Sequence, residues 1–237
     1  MTAEADAYAK SIGFAFQTIN RATDRLVGNK EIDELVIAAP GTFLARWLYP
    51  RLGELQKVVP GCRLNTVTWN RSISASDRLV DLFINLDSMP EIAGMASLRL
   101  VKERFGPVVG ANLWQQVPSL ERLFDHDLLT PAWPPFMWRN WSFESKVKVP
   151  HKTPHKTIIV YGRLLYALQA AEAGLGVAIA PEASVTDALR QGTLIAPFGT
   201  QERTGHWYVS WRTDSWNKTK NNVCKWLARE MGKIGSE

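Results

Sequence analysis

Residues 170–198 read AAEAGLGVAIAPEASVTDALRQGTLIAPF, and the order of signals in this stretch decides the fold. Ahead of it, from about Arg163, Leu164, Leu165, Leu168, Ala171 and Leu175 recur at helical spacing, and Gly174 and Gly176 break the pattern. Val177 to Ala180 is an apolar run too short for a helix, so it reads as a buried strand that Pro181 ends. Asp187 to Arg190 closes a second helical segment, with Gly192 where a residue must reach positive φ, before another short strand. Helix, strand, helix, strand with a fully apolar strand is the pattern of an open, doubly wound parallel sheet. The glycines follow a helix and open a strand. That is the reverse of a dinucleotide-binding turn, and it aims no helix N-terminus at a phosphate.

Working outward, the segment before this unit reads β-α-β-α-β. Strand Glu34 to Ala39 leads through Pro40-Gly41-Thr42 into a helix carrying Phe43, Trp47, Leu48, Leu52, Leu55 and Val58. Cys62 to Trp69 is the next strand. Ser74-Ala75-Ser76-Asp77 opens a short helix, DRLVDL, ahead of strand Leu82 to Leu86. Arg99 to Val109 is extended. Beyond Gly110 come a short helix at 119–124, a Pro- and Trp-rich connection TPAWPPFMWRNW, and strand Thr157 to Tyr161. HWYVSW at 206–211 is a last strand returning to the first half, and a helix over about 216–231 packs back there through Val223, Trp226, Leu227 and Met231. Two crossing segments, near Val109 and near Trp207, therefore join two Rossmann-like lobes of the type 2 periplasmic-binding-protein kind. The expected division is an N-terminal helix within 1–30, a first lobe of 31–109 plus 207–237, and a second lobe of 110–206.

The N-terminal helix, expected over 2–27, carries Tyr8, Ile12, Ala15, Ile19, Ala22 and Leu26 at spacings of four and three. That is a coiled-coil seam with no partner in its own segment, so it is expected to bury itself on a second copy and make the protein a homo-oligomer. The alternative is a surface helix lying on its own core.

Composition excludes several classes. The chain has 237 residues, 46% hydrophobic and 22% charged, enough for a full core and ordinary for a globular protein. No apolar run is long enough to span a bilayer, and acids stand where a secretory signal would carry Lys or Arg; the expected compartment is the cytoplasm. The net charge of +5 invites a nucleic-acid reading. Yet Arg139, Lys146, Lys148, Lys152, Lys156 and Arg163, opposed by Glu144 alone, hold that whole excess in one Pro-containing stretch that reads as a solvated edge strand and loop. Cys62 and Cys224 sit in core-like segments and read as two buried thiols, a disulfide between them being the alternative.

The quoted unit, with "Gly-x-Leu" and "Pro-Phe" after its second helix, resembles the closing part of the effector-binding domain of LysR-type transcriptional regulators. So does the first lobe: Arg46, Trp47, Leu48, Pro50 and Leu52 match the family's run after the first strand, and DLFINL stands at its Asp-x-Ala-Ile position. The N-terminal helix resembles the family's linker helix, with Thr2-Ala3 at its start and Glu4-Ala5 departing from the usual Gly. The resemblance implies an effector-sensing and oligomerisation region that controls transcription. Family members carry a winged helix-turn-helix reader ahead of this helix, so the chain alone is not expected to read DNA. It is expected to be a fragment of a regulator or a naturally shortened relative that pairs with full-length ones. The other alternative is a solute-binding protein of the same fold.

In open α/β lobes ligands bind beyond the C-terminal strand ends, at helix N-termini. That selects Thr42 and Phe43, then Asn70, Arg71 and Ser72, in the first lobe. In the second it selects Ala111 and Asn112 past the crossover, and Tyr161, Gly162 and Arg163 before the long helix. The resemblance places the effector pocket at the same positions. Helix N–H groups and an arginine there favour a small carboxylate effector; the bland readings are an N-cap for Thr42 and solvated arginine heads. No catalytic constellation is ordered. Pro150 and Pro154 keep His151 and His155 off a common helix face, so no metal site is expected, and no cofactor. Asp125-His126-Asp127 reads as a loop cap, and Trp133, Trp138 and Trp141 as packing of the second lobe. The chain reads as a binding protein, not an enzyme.

Overall fold

The computed structural model describes residues 34–69, 74–87, 92–116, 120–132, 137–147 and 158–234, together with Tyr8, Ile12, Gly13, Phe16 and Ile19. Among the described residues nine strands form one mixed sheet: β1 (Glu34–Ala39), β2 (Arg63–Thr68), β3 (Leu82–Asp87), β4 (Met95–Gly110), β5 (Leu128–Pro131), β6 (Ile158–Tyr161), β7 (Val177–Pro181), β8 (Leu194–Ile195) and β9 (Gln201–Arg212). The order is β2-β1-β3-β9-β4-β7-β5-β6, with β8 also on β4. The parallel triplet β2-β1-β3 makes the first lobe, and β7-β5-β6, also parallel, makes the second. The long antiparallel pair β4 and β9 runs through both.

That ribbon is how the chain passes between lobes. From Met95 to Phe105, β4 pairs with β9; from Phe105 to Val109 it pairs with β7. Val108 and Val109 lie in second-lobe core clusters. The first passage therefore falls around 100–105, ahead of the Val109 step anticipated from the sequence. Two register shifts, between Arg99 and Val101 and between Lys102 and Arg104, fall in the same segment, and such irregularities bend a strand and increase its twist.

The helical run α1 covers 41–58 and is not a plain α-helix. It passes from α (Gly41–Phe43) through a π turn (Leu44–Leu48) and a 3-10 turn (Tyr49–Arg51) to α again (Leu52–Val58). Pro50 has no N–H to donate, and an interior proline costs about 3 kcal/mol. The run survives because Phe43, Leu44, Trp47, Leu48 and Leu55 are buried, each contributing about 1.5–3 kcal/mol. Around them a first-lobe core gathers Ile37, Ile84, Trp207, Val209 and the inner face of the last helix, α7 (Lys218–Met231).

The second lobe follows the quoted stretch closely. Helix α5 (Leu164–Glu172), β7, α6 (Thr186–Gln191) and β8 appear in order, and Gly192 ends α6 at φ 71°. Gly176 marks a close approach: a Cβ there would lie 2.3 Å from the Asp127 carbonyl oxygen. Strand β6 ends the strand order, with Ile158 and Val160 exposed; the lysine-rich stretch expected as an edge strand and loop lies largely outside the described residues, at 148–157. Both cysteines are buried and unpaired with each other.

Two expectations are corrected. DRLVDL is not helical. Residues 74–81 are turns, because Asp81 accepts from the Val36 N–H and pairs with Lys220 Nζ at 2.9 Å, while Arg212 donates to the Asp77 and Val80 carbonyls. Within the Trp-rich connection, 137–145 is a helix, α4 (Met137–Ser145), with Trp138 and Trp141 buried. It ends without glycine, Lys146 itself taking φ 60°, so no stop signal marks it. The buried strand β5 follows Asp127, whose carbonyl accepts from Val177 N–H. The remaining two short helices are α2 (Ala111–Trp114) and α3 (Leu120–Leu123). Of the N-terminal seam, Tyr8, Ile12 and Ile19 are helical and exposed; Ala15, Ala22 and Leu26 lie outside the described residues.

Candidate functional site

Register fixes which ends of the sheet meet. The first-lobe strands finish at Ala39, Thr68 and Asp87, and Asp87 stands opposite His206 of β9. The second-lobe strands finish at Pro131, Tyr161 and Pro181, and Pro181 stands opposite Phe105, itself opposite Gln201. The C-terminal ends of both triplets thus face each other across the passage segments, about 100–105 and 201–206. This cleft is where an open α/β protein binds ligands.

The structure brings Thr42 to this cleft from one side, and Tyr161, Gly162 and Arg163 from the other. The first turn of α1 packs against α5. Thr42 is half-buried but is not an N-cap: it is the second helical residue, Pro40 precedes the helix, and no side chain caps it. Arg163, exposed and extended at φ −145°, occupies the N-cap position of α5. Tyr161 is held by its carbonyl, which accepts from Ala132 N–H at 2.6 Å. The two helix starts point N–H groups that have no partner within their own helices toward the cleft.

Phe43 and the Ala111–Asn112 pair stand elsewhere. The Phe43 side chain is fully buried, stacked on Trp47 with ring centroids 5.0 Å apart and 4.8 Å from Trp207; only its backbone faces the cleft end of α1. Ala111 and Asn112 follow the far end of β4, where Val109 pairs with Val177, the first residue of β7. They are therefore separated from Tyr161–Arg163 by the length of a five-residue strand, about 17 Å. The Ala111 N–H is taken by the Thr193 carbonyl. Asn70, Arg71 and Ser72 lie outside the described residues.

Sequence reasoning missed the polar groups that border the passage. Arg104 donates to Glu182 (3.1 Å), to Thr200 Oγ1 (3.1 Å) and to the Thr200 carbonyl (2.6 Å), and Thr200 Oγ1 donates to Glu182 at 2.8 Å. Glu182 directly follows the strand-ending Pro181, a position legible in the quoted stretch; Arg104 and Thr200 carry no local signal. Beside them Lys102 pairs with Glu202 and Arg203 with the buried Glu103. The hydrogen bond and charge of Lys102, with Arg104 and His206 also near, hold the Glu202 carboxyl below its usual range. The border of the cleft thus alternates cations and carboxylates.

A cavity of about 390 Å³ opens on the outer side of the molecule, where α1, α6 and the end of α7 meet. Its lining pairs each cation with a carboxylate, as where Lys233 bonds to Glu230 and lowers the pKa of that carboxyl. It lies apart from the facing strand ends, so the cleft remains the candidate site. No group of His, Cys, Asp and Glu able to hold a metal occurs among the described residues. No helix among them is long and apolar enough to cross a membrane.

Comparison with known proteins agrees with this architecture. Residues 28–231 match the family model described as the LysR substrate binding domain. The HTH-type transcriptional regulator TrpI of Pseudomonas aeruginosa is 34% identical over 231 residues, covering 92% of this chain and 75% of that protein. The HTH-type transcriptional activator AmpR of the same organism is 27% identical, covering 89% and 70%. The solved effector domain of the transcriptional regulator AmpR of Pseudomonas aeruginosa superposes with a TM-score of 0.68 at 25% identity, covering 84% of this chain and 96% of that one. The AmpR effector binding domain from Citrobacter freundii, at 23% identity, has the same fold with a TM-score of 0.69, covering 85% and 99%. These relatives are transcriptional regulators rather than enzymes. By its sequence, its type 2 periplasmic-binding-protein-like fold and its facing strand ends, the chain belongs to the LysR family of transcriptional regulators and carries their effector-binding domain.

Proposed function

We propose that this domain senses a small carboxylate held between the lobes and passes the event on as a change in their relative orientation. The observation that carries this reading is the facing pair of helix starts, at Gly41–Thr42 and at Arg163, on opposite walls of one cleft. Helix N-termini with unpaired N–H groups and an exposed guanidinium favour a carboxylate over a neutral ligand. Thr42, the backbone of Phe43, Tyr161, Gly162 and Arg163 form its contact set. Residues of the first lobe through β3, with the end of β9 and α7, would move against the segment from Phe105 to about 200.

Oligomerisation belongs to the same reading. Tyr8, Ile12 and Ile19 are 70%, 39% and 58% exposed in the single chain, as expected of a seam that a second copy covers. The domain then works in the cytoplasm as part of a homo-oligomeric regulator, its effector altering how the subunits are presented to DNA.

The test is a thermal-shift screen of small mono- and dicarboxylates on the parent chain, repeated with Thr42→Ala and Arg163→Ala. At least one carboxylate raises the melting temperature of the parent, and Arg163→Ala weakens that binding by roughly 10- to 150-fold, a charge-assisted hydrogen bond contributing ~1.5–3 kcal/mol. The reading is wrong if no carboxylate shifts the parent, or if those that do bind Arg163→Ala and Thr42→Ala unchanged.

A further inference from the structure

We propose that Arg46 and Arg51 form a two-point ionic latch, fastening the first lobe to the second on the α1 face and setting the angle between them. Arg46 reaches the second lobe with three donors: Nε bonds to the Ser184 carbonyl at 2.8 Å, and its two terminal nitrogens bond to the Glu172 carboxylate at 3.3 and 2.5 Å. Arg51 binds the Asp187 carboxylate through both terminal nitrogens, at 2.7 and 2.6 Å. Glu172 ends α5 and Asp187 opens α6, so the two clasps grip different elements of one lobe. Their side chains keep only 16–29% of their exposure. Forked arginine–carboxylate pairs of this kind hold geometry as well as contributing energy.

Both arginines sit on the irregular part of α1: the Tyr49 N–H bonds to the Leu44 carbonyl, an i→i+5 turn, and the 3-10 turn Tyr49–Arg51 follows it. The Arg51 guanidinium also donates to the Trp47 carbonyl at 2.9 Å and lies 4.9 Å over the Trp47 ring, two contacts that fix its direction. The Arg-Trp-Leu-x-Pro run thus does more than start a helix. With Arg51 directly after it, it carries two cations that each pair with a carboxylate of the second lobe. Ala183, beside the Ser184 carbonyl that Arg46 holds, lies in the first-lobe core, so the lobes also touch there, and the two pairs fix their angle about that contact.

The inference does not depend on which effector binds, and its test uses none, so its failure and that of the proposed effector site are distinguishable. Spin labels at Lys57→Cys and Gln191→Cys, both exposed and one on each lobe, report the interlobe distance in the full chain diluted with unlabelled protein; the native thiols are buried. The parent gives one narrow distance distribution. Glu172→Gln with Asp187→Asn broadens it and moves its mean, and the reversal Arg46→Glu with Glu172→Arg narrows it again relative to Glu172→Arg alone. If the double neutral variant does not fold, Asp187→Asn alone broadens the distribution in the same sense. An unchanged distribution in the folded neutral variant, or in Asp187→Asn alone where the double fails to fold, overturns the latch, as does a reversal no narrower than Glu172→Arg alone.

Discussion

Replacing Phe43 by alanine separates a core residue from a ligand contact at one position of the chain. Its side chain has no exposure and lies between the Trp47 and Trp207 rings, at 5.0 and 4.8 Å. Truncating a buried phenylalanine costs about 3–5 kcal/mol, the upper part arising where the surrounding rings cannot close on the space left. Trp47 is held by a turn of its helix and Trp207 by strand pairing, so the upper part applies. A chain of this size has a urea m-value of about 2–3 kcal/mol/M, which converts the loss to a midpoint shift of roughly 1–2 M. Far-UV circular dichroism is the readout, because tryptophan emission changes directly when its neighbouring ring is removed. Thr42→Ala is the internal control: half-buried and capping nothing, it shifts stability by about 0.5 kcal/mol or less. Should Phe43→Ala leave the midpoint within the range of Thr42→Ala, the ring is not part of the core and the assignment of its side chain away from the cleft is wrong.

Packing gives two further outcomes and titration a third. Gly176→Ala drives a Cβ to 2.3 Å from the Asp127 carbonyl, a backbone atom that cannot give way, and lowers the calorimetric melting temperature by several degrees. Gly53→Ala, in a helix with open space around it, raises it slightly. Burial pushes the Cys224 thiol from 9.0 up to about 12, with Lys220 opposing weakly. A raised folded-state value means that this stability is whole below pH 9 and drains away as pH rises toward 12. Between pH 9 and 11 the parent should therefore lose about 1.4 kcal/mol per pH unit more than Cys224→Ala in denaturant titrations; parallel curves for the two proteins would contradict it.

Much of this architecture is legible without coordinates, because its signals are local. The run from α5 to β8 is written in periodicities of 3.6 and in glycines at turns, and each element appears within a residue or two of its expected place. Helix α4 escaped because its start is crowded with prolines and its end uses Lys146 where a glycine would be the usual sign. The false helix at 77–82 had a plausible capping sequence, but Asp81 and the carbonyls of Asp77 and Val80 are claimed by residues more than a hundred positions away or by β1. Local propensity loses to such partners wherever they hold the chain's polar groups.

The candidate site divides in the same way. That ligands of open α/β lobes bind at strand ends and helix starts is a rule readable along the chain, and Thr42 and Tyr161–Arg163 do stand at such positions. Which strand ends meet is not readable, since Ala111 and Arg163 both follow strands and only the antiparallel direction of β4 sends them to opposite ends of the second lobe. The sequence by itself determined the α/β class, the two lobes and the family, because helix periods, buried strands and turn residues are encoded within spans of a few residues. Tertiary structure alone decided that Phe43 faces inward, that Ala111 and Asn112 lie apart from the cleft, and that Arg46 and Arg51 find carboxylates 126 and 136 positions away. Those outcomes depend on pairings between distant segments, whose geometry exists only once the β4–β9 ribbon has set one lobe against the other.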